Sequence, residues 1–147
     1  MTIRLEPVYL ANVLLFVDRA DSIRAFPFVS KNCLQATLTL KINPSAFSKS
    51  LRGILKRFPN INTVVLDRFP FFNPNATLPD TVTAVVVKKM DFNRLLPDSD
   101  YLDWVVEIRG GHFDDGEVNL QPFVNLKTLA LKQVPSLITL PDHRLKH

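Results

Sequence analysis

Four short segments after residue 57 share one arrangement of apolar and polar positions: FPNINTVVL (58–66), TVTAVVV (81–87), DWVVEIR (103–109) and FVNLKTLAL (123–131). The first and last carry Phe, Asn, Thr and Leu at the same places, 65 residues apart. The last apolar position of each segment is Leu66, Val87, Ile108 and Leu131, at steps of 21, 21 and 23. Five residues beyond the first three stand Phe71, Phe92 and Phe113, again 21 apart. Two inward apolar residues flank one outward residue in each segment, the period-2 signature of a β-strand. The pattern predicts strands near 63–67, 84–88, 105–109 and 128–132, with the four anchors stacked in one buried column. Parallel pairing suits Val-rich runs, because parallel strands need cover.

The first 58 residues follow a helical period instead. Pro7 suits the first turn of a helix, and Leu10, Val13, Leu14 and Val17 follow at i, i+3, i+4 and i+7. Val8, Tyr9, Leu15 and Phe16 make that helix apolar nearly all round, which predicts burial on both sides. Asp21 or Ser22 is positioned to cap a second helix through Ile23 and Phe26, broken at Pro27. Phe28, Val29, Cys33, Leu34, Leu38 and Ile42 continue a helical stripe that Asn43-Pro44 ends. Ser45 is placed to cap a further helix carrying Phe47, Leu51, Ile54, Leu55 and Phe58.

The repeating segments resemble leucine-rich repeats, whose period is about 20–29 residues. The L-x-x-L-x-L core reads Ile61/Val64/Leu66, then Val82/Val85/Val87, then Leu126/Leu129/Leu131; Asp103 interrupts it in the remaining segment. The position three residues after the anchor, often Asn or Cys in that family, holds Phe69, Met90, Gly111 and Val134, and FFNPNATLPD (71–80) is an irregular connection.

Residues 5–36 (LEPVYLANVLLFVDRADSIRAFPFVSKNCLQA) resemble an F-box. Leu5 and Pro7 match its start, Val13-Leu14 and Val17 its first helix, Asp21 and Ile23 the opening of its second, and Val29-Ser30-Lys31 its Val-Ser/Cys-Lys element. Glu6 splits the opening Leu-Pro pair, and Cys33 or Leu34 stands where the family has Trp. Together the resemblances imply an α/β chain with an F-box-like helical head over 1–44 and a capping helix over 45–58. A leucine-rich-repeat solenoid with parallel strands and an irregular convex side follows over 59–147. They also imply an exposed apolar surface of Leu5, Pro7, Leu10, Val13 and Leu14 that docks on the Skp-type adaptor of cullin-RING ubiquitin ligases. The repeats would then capture a protein substrate. The alternative is a leucine-rich-repeat scaffold whose head is only a structural cap.

Strand alternation sends the residues beside the core positions to the other face. Three columns result: Thr63, Ala84, Val105 and Thr128; Val65, Val86, Glu107 and Ala130; Asp67, Lys88, Arg109 and Lys132. The second and third form the expected partner-binding face, fitted to a partner with an apolar centre and an acidic edge.

Charge and chemistry narrow the function classes. The net charge of +4 comes from scattered cations, with Lys88-Lys89 the tightest pair, which disfavours nucleic acid as a partner. Cys33 is the sole cysteine, so no intrachain disulfide forms, and the cytosol or the nucleus is the expected compartment. Residues 8–17 form an apolar run too short to span a bilayer. Glu6 before it, and charges rather than a small-residue cleavage pattern after it, set it apart from a secretion signal. His112 with Asp114, Asp115 and Glu117 reads as a solvated turn around Gly110-Gly111 and Gly116, and neither it, His143 nor His147 joins a zinc pattern. No P-loop or nucleophile elbow is present. The expectation is a non-enzyme with no cofactor, metal or small-molecule ligand.

Overall fold

The structure is a computed structural model that describes residues 5–48, 50–68, 78–94, 100–113, 116–133 and 135–140. Phe69, Phe71, Asp114, Asp115, Val134, His143 and His147, singled out above, lie outside them, as does most of the 71–80 connection. The chain is α/β, with four α-helices and parallel strands among the described residues. It divides into two units, Met1–Leu66 with Pro79–Val82, and Asp67–Leu78 with Thr83–His147.

In the first unit Pro7 opens α1 (Pro7–Leu15), which packs on α3 (Lys31–Thr39). The Asn32 amide fastens the preceding segment by donating to the Leu5 carbonyl at 2.9 Å. Between them α2 (Ala20–Ala25) runs into a 3-10 turn, Phe26–Phe28. Ser30 caps α3 by accepting from the Cys33 N–H at 3.2 Å, and Ser50 caps α4 (Leu51–Arg57) by accepting from the Gly53 N–H at 3.2 Å. Each side chain satisfies one N–H that has no partner within the helix. Leu14, Ile23, Ala36, Ile54 and Phe58 are wholly buried and make this unit's core together with Val64 of β1 (Thr63–Leu66).

Several expectations are corrected here. Arg19, not Asp21 or Ser22, precedes α2, with no side-chain cap. Ser50 rather than Ser45 starts α4; Ser45 sits in a turn where its carbonyl accepts from the Ser48 hydroxyl at 2.7 Å. The helix expected over 45–58 is therefore the shorter Leu51–Arg57. Helix α3 stops at Thr39, and Ile42 instead forms a parallel bridge to Thr63, 21 residues on. Leu40-Lys41-Ile42 alternates in burial, so a period-2 signal lay beneath the helical stripe. Asn43, expected only to end a helix, is a buried amide bonded to Val65.

In the second unit β2 (Ala84–Val87), β4 (Val105–Ile108) and β7 (Thr128–Leu129) pair in parallel in that order. Val87 stands opposite Ile108 and Ile108 opposite Leu129, so the step is 21 both times. The expected fourth anchor, Leu131, is two residues out of this column. Its side chain comes down on Gly111 instead: a Cβ there would meet Leu131 at 2.8 Å and the Phe92 ring at 2.4 Å. Gly111 thus opens room that a larger residue would close. A second parallel pair follows, β3 (Met90–Asp91) with β5 (Gly111–His112), again at a step of 21. A third joins β6 (Glu117–Asn119) to β8 (Leu137–Thr139) at a step of 20. Core residues here include Val85, Val87, Met90, Leu102, Val105, Ile108, Val118 and Phe123.

The F-x-N-h-x-T cassette folds alike in both units. Phe58 and Phe123 are each wholly buried and each receive another ring edge-on, Phe47 at 5.7 Å and Phe92 at 6.3 Å. Two residues later Asn60 donates to the Leu38 carbonyl at 2.8 Å and Asn125 to the Asp103 carbonyl at 2.7 Å, 22 residues back in both cases.

Candidate interaction surfaces

Helix α1 is amphipathic in the fold although its sequence is apolar all round. Leu14 faces the core at 0% exposure, which removes it from the expected apolar surface. Leu5 and Val13 are about half exposed, and Pro7 and Leu10 are intermediate. Val8, Tyr9 and Phe16 are also exposed, Phe16 at 87%, which corrects the expectation of burial on both sides. Val8, Tyr9 and Phe16 belong to this surface but were not among its expected members; their signal was the absence of any polar face on a nine-residue helix that needs only one buried side. A second exposed apolar group, Phe28 and Val29, follows α2, where Pro27 takes the buried place.

The expected partner-binding face is only partly open. Val65 in the first unit and Val86 in the second are each 4% exposed, so these valines are core rather than surface. In the second unit the register puts Val86, Glu107 and Thr128 in one row, not Val86, Glu107 and Ala130. Ala130 follows Leu129 and therefore lies level with Arg109, while its N–H donates to the Ile108 carbonyl at 2.8 Å. Lys132 is two residues further on, so the expected row Lys88, Arg109, Lys132 does not form. Arg109 turns back along its own strand, its Nε donating to Glu107 Oε1 at 2.8 Å. That pair confirms that 107 and 109 share a face, as the strand period requires, and it neutralises the cation expected at the edge. Asp67 and Lys88 are half-buried, and Ala130 and Lys132 exposed.

A β-bulge between Val85 and Val86 explains part of the mismatch. Val85 pairs with Val105 at a step of 20, but Val86 pairs with Glu107 at a step of 21. Val106 is the extra residue, and it is half-buried.

Among the described residues no group of three His, Cys, Asp or Glu side chains stands close enough to hold a metal ion. His112 is exposed on β5, and Cys33 is buried in α3. No described helix is long and apolar enough to cross a membrane. No protein-family model, curated protein or solved structure matches the chain.

Proposed function

We propose that the chain is a protein–protein interaction module, an F-box-like head joined to a short leucine-rich-repeat solenoid, acting as a substrate receptor of a cullin-RING ubiquitin ligase. The observation that carries this reading is the exposed apolar row on α1: Leu5, Val8, Tyr9, Val13 and Phe16 are each more than half exposed beside a fully buried Leu14. An apolar surface left open to water marks an interaction site when its members are contiguous. Parallel strands stepping by 21 residues support the repeat half of the reading. The scaffold alternative draws support from α4, which packs on β1 as a cap would.

The test is retention of a purified Skp-type adaptor by the full chain. Leu5→Asp with Val13→Asp changes two exposed side chains and should abolish retention while circular dichroism stays unchanged. Wild-type retention by that folded double variant leaves the scaffold reading.

A further inference from the structure

The cations of the chain are scattered, but its acids are not. Residues 22–66 carry seven lysines and arginines and no aspartate or glutamate. That stretch has a formal charge of +7 in a chain of net +4, which leaves the remainder at −3. It lies within the first unit and includes α3, α4 and β1.

Several of these cations gather at the C-terminal end of α4. Arg52 and Lys56 are exposed and one helical turn apart, on one face. Arg57 Nη1 donates to the Arg24 carbonyl at 3.4 Å, which brings the end of α2 beside the end of α4. Lys41 Nζ donates to the carbonyl of Asn60, three residues beyond Arg57, at 3.5 Å. The Arg24 guanidinium lies 5.7 Å from the centre of the Phe47 ring and pairs with Asp21 at 2.7 Å. Asp21 is 93% exposed, so its carboxylate is readily exchanged for another. Phe28 and Val29, exposed at 82% and 72%, lie in the chain between Arg24 and Lys31.

We infer that this face binds an acidic polypeptide segment bearing an apolar side chain, with carboxylates on the α4 end and the apolar group against Phe28 and Val29. Complementary charge identifies the occupant. Guanidinium groups take carboxylates in two parallel hydrogen bonds, and an extended peptide presents same-face carboxylates about 7 Å apart. Single-stranded nucleic acid is the poorer fit, since it stacks on successive aromatic platforms, and Phe28 is the one exposed aromatic among the described residues of the stretch. This inference does not rest on the adaptor reading, because it uses a different face and a different kind of recognition.

The experiment measures binding of fluorescein-labelled poly-L-glutamate, and of a Glu-rich peptide with one central Leu, to the full chain as salt is raised. Oligodeoxythymidylate of equal length is the comparison probe. Arg52→Glu with Lys56→Glu should weaken peptide binding about tenfold or more at low salt and flatten its salt dependence. Arg52→Gln with Lys56→Gln should give a smaller loss in the same direction, which separates the effect from any failure to fold. Lys89→Glu with Lys127→Glu, exposed cations of the second unit, should leave binding unchanged. Undetectable peptide binding at low salt, an equal loss in the Lys89/Lys127 variant, or tighter binding of the oligonucleotide through the same residues each overturns the proposal.

Discussion

The side-chain amide of Asn43 takes the place of a neighbouring strand for Val65. The Val65 N–H donates to Asn43 Oδ1 at 2.7 Å, and Asn43 Nδ2 donates to the Val65 carbonyl at 2.9 Å. The same Nδ2 reaches the Phe47 carbonyl at 2.9 Å, so a side chain only 2% exposed leaves no polar atom without a partner. Asn43→Ala would leave the Val65 N–H and carbonyl buried and unpaired, at a cost of about 2–3 kcal/mol. Urea unfolding should show it as a lowered midpoint at unchanged slope. A midpoint at wild-type level would mean that water replaces the amide.

The two glycines that meet the least and the most crowding should respond oppositely. Gly53 lies in α4, where an added Cβ finds only ordinary contacts at 3.5 Å or more. Gly53→Ala should stabilise by roughly 0.5–1 kcal/mol through helix propensity. Gly111→Ala drives a methyl into Phe92 and Leu131 and should cost about 1–3 kcal/mol. Paired thermal melts of the two variants read the difference, and a shift of the same sign in both would argue that Leu131 does not sit over Gly111.

Adjacent residues of α1 should separate surface from core. Leu14→Ala removes a fully buried side chain and should cost about 2–5 kcal/mol. Val13→Ala trims a half-exposed one and should stay within about 0.5 kcal/mol of wild type. Denaturant titration of both variants measures this directly; comparable losses would place Val13 in the core and remove it from any docking surface.

Phe123 offers a test of the shared cassette. Phe58→Ala and Phe123→Ala each delete a wholly buried ring that another ring meets edge-on, and each should cost about 3–5 kcal/mol. Near-ultraviolet circular dichroism and unfolding curves should change alike in the two. A large effect at one position with none at the other would show that the cassettes carry unequal loads.

Where the fold was legible in the sequence, the reason was burial imposed at a regular interval. Three of the four strands fall where alternation put them, because Val64/Leu66, Val85/Val87 and Val105/Ile108 face a core and must be apolar. The fourth was misplaced by trusting identity over interval. FPNINTVVL and FVNLKTLAL align Leu66 with Leu131, but backbone pairing follows the constant step of 21 and selects Leu129. Leu131 was free to leave because Gly111 leaves space for it. Ile42 was lost to a coincidence of periods, since it continues a helical stripe and also ends a strand-like alternation. Of the expected adaptor surface, only the sidedness of α1 could not be read, because an all-apolar helix carries no mark of which side meets α3. The cationic edge failed for a local reason, the Glu107–Arg109 pair, that needs coordinates to see.

A constant backbone step turns chain length into a ruler. Val87 and Ile108 occupy equivalent places, as do Met90 and Gly111. Excising residues 88–108 would join Val87 to Arg109, the residue that follows Ile108 in β4, and every later side chain would keep its facing. Removing a single residue from the same span would instead turn each downstream strand over, core outward. Variation in this part of the chain is thus quantised: whole rungs can be gained or lost, while the length within a rung is held.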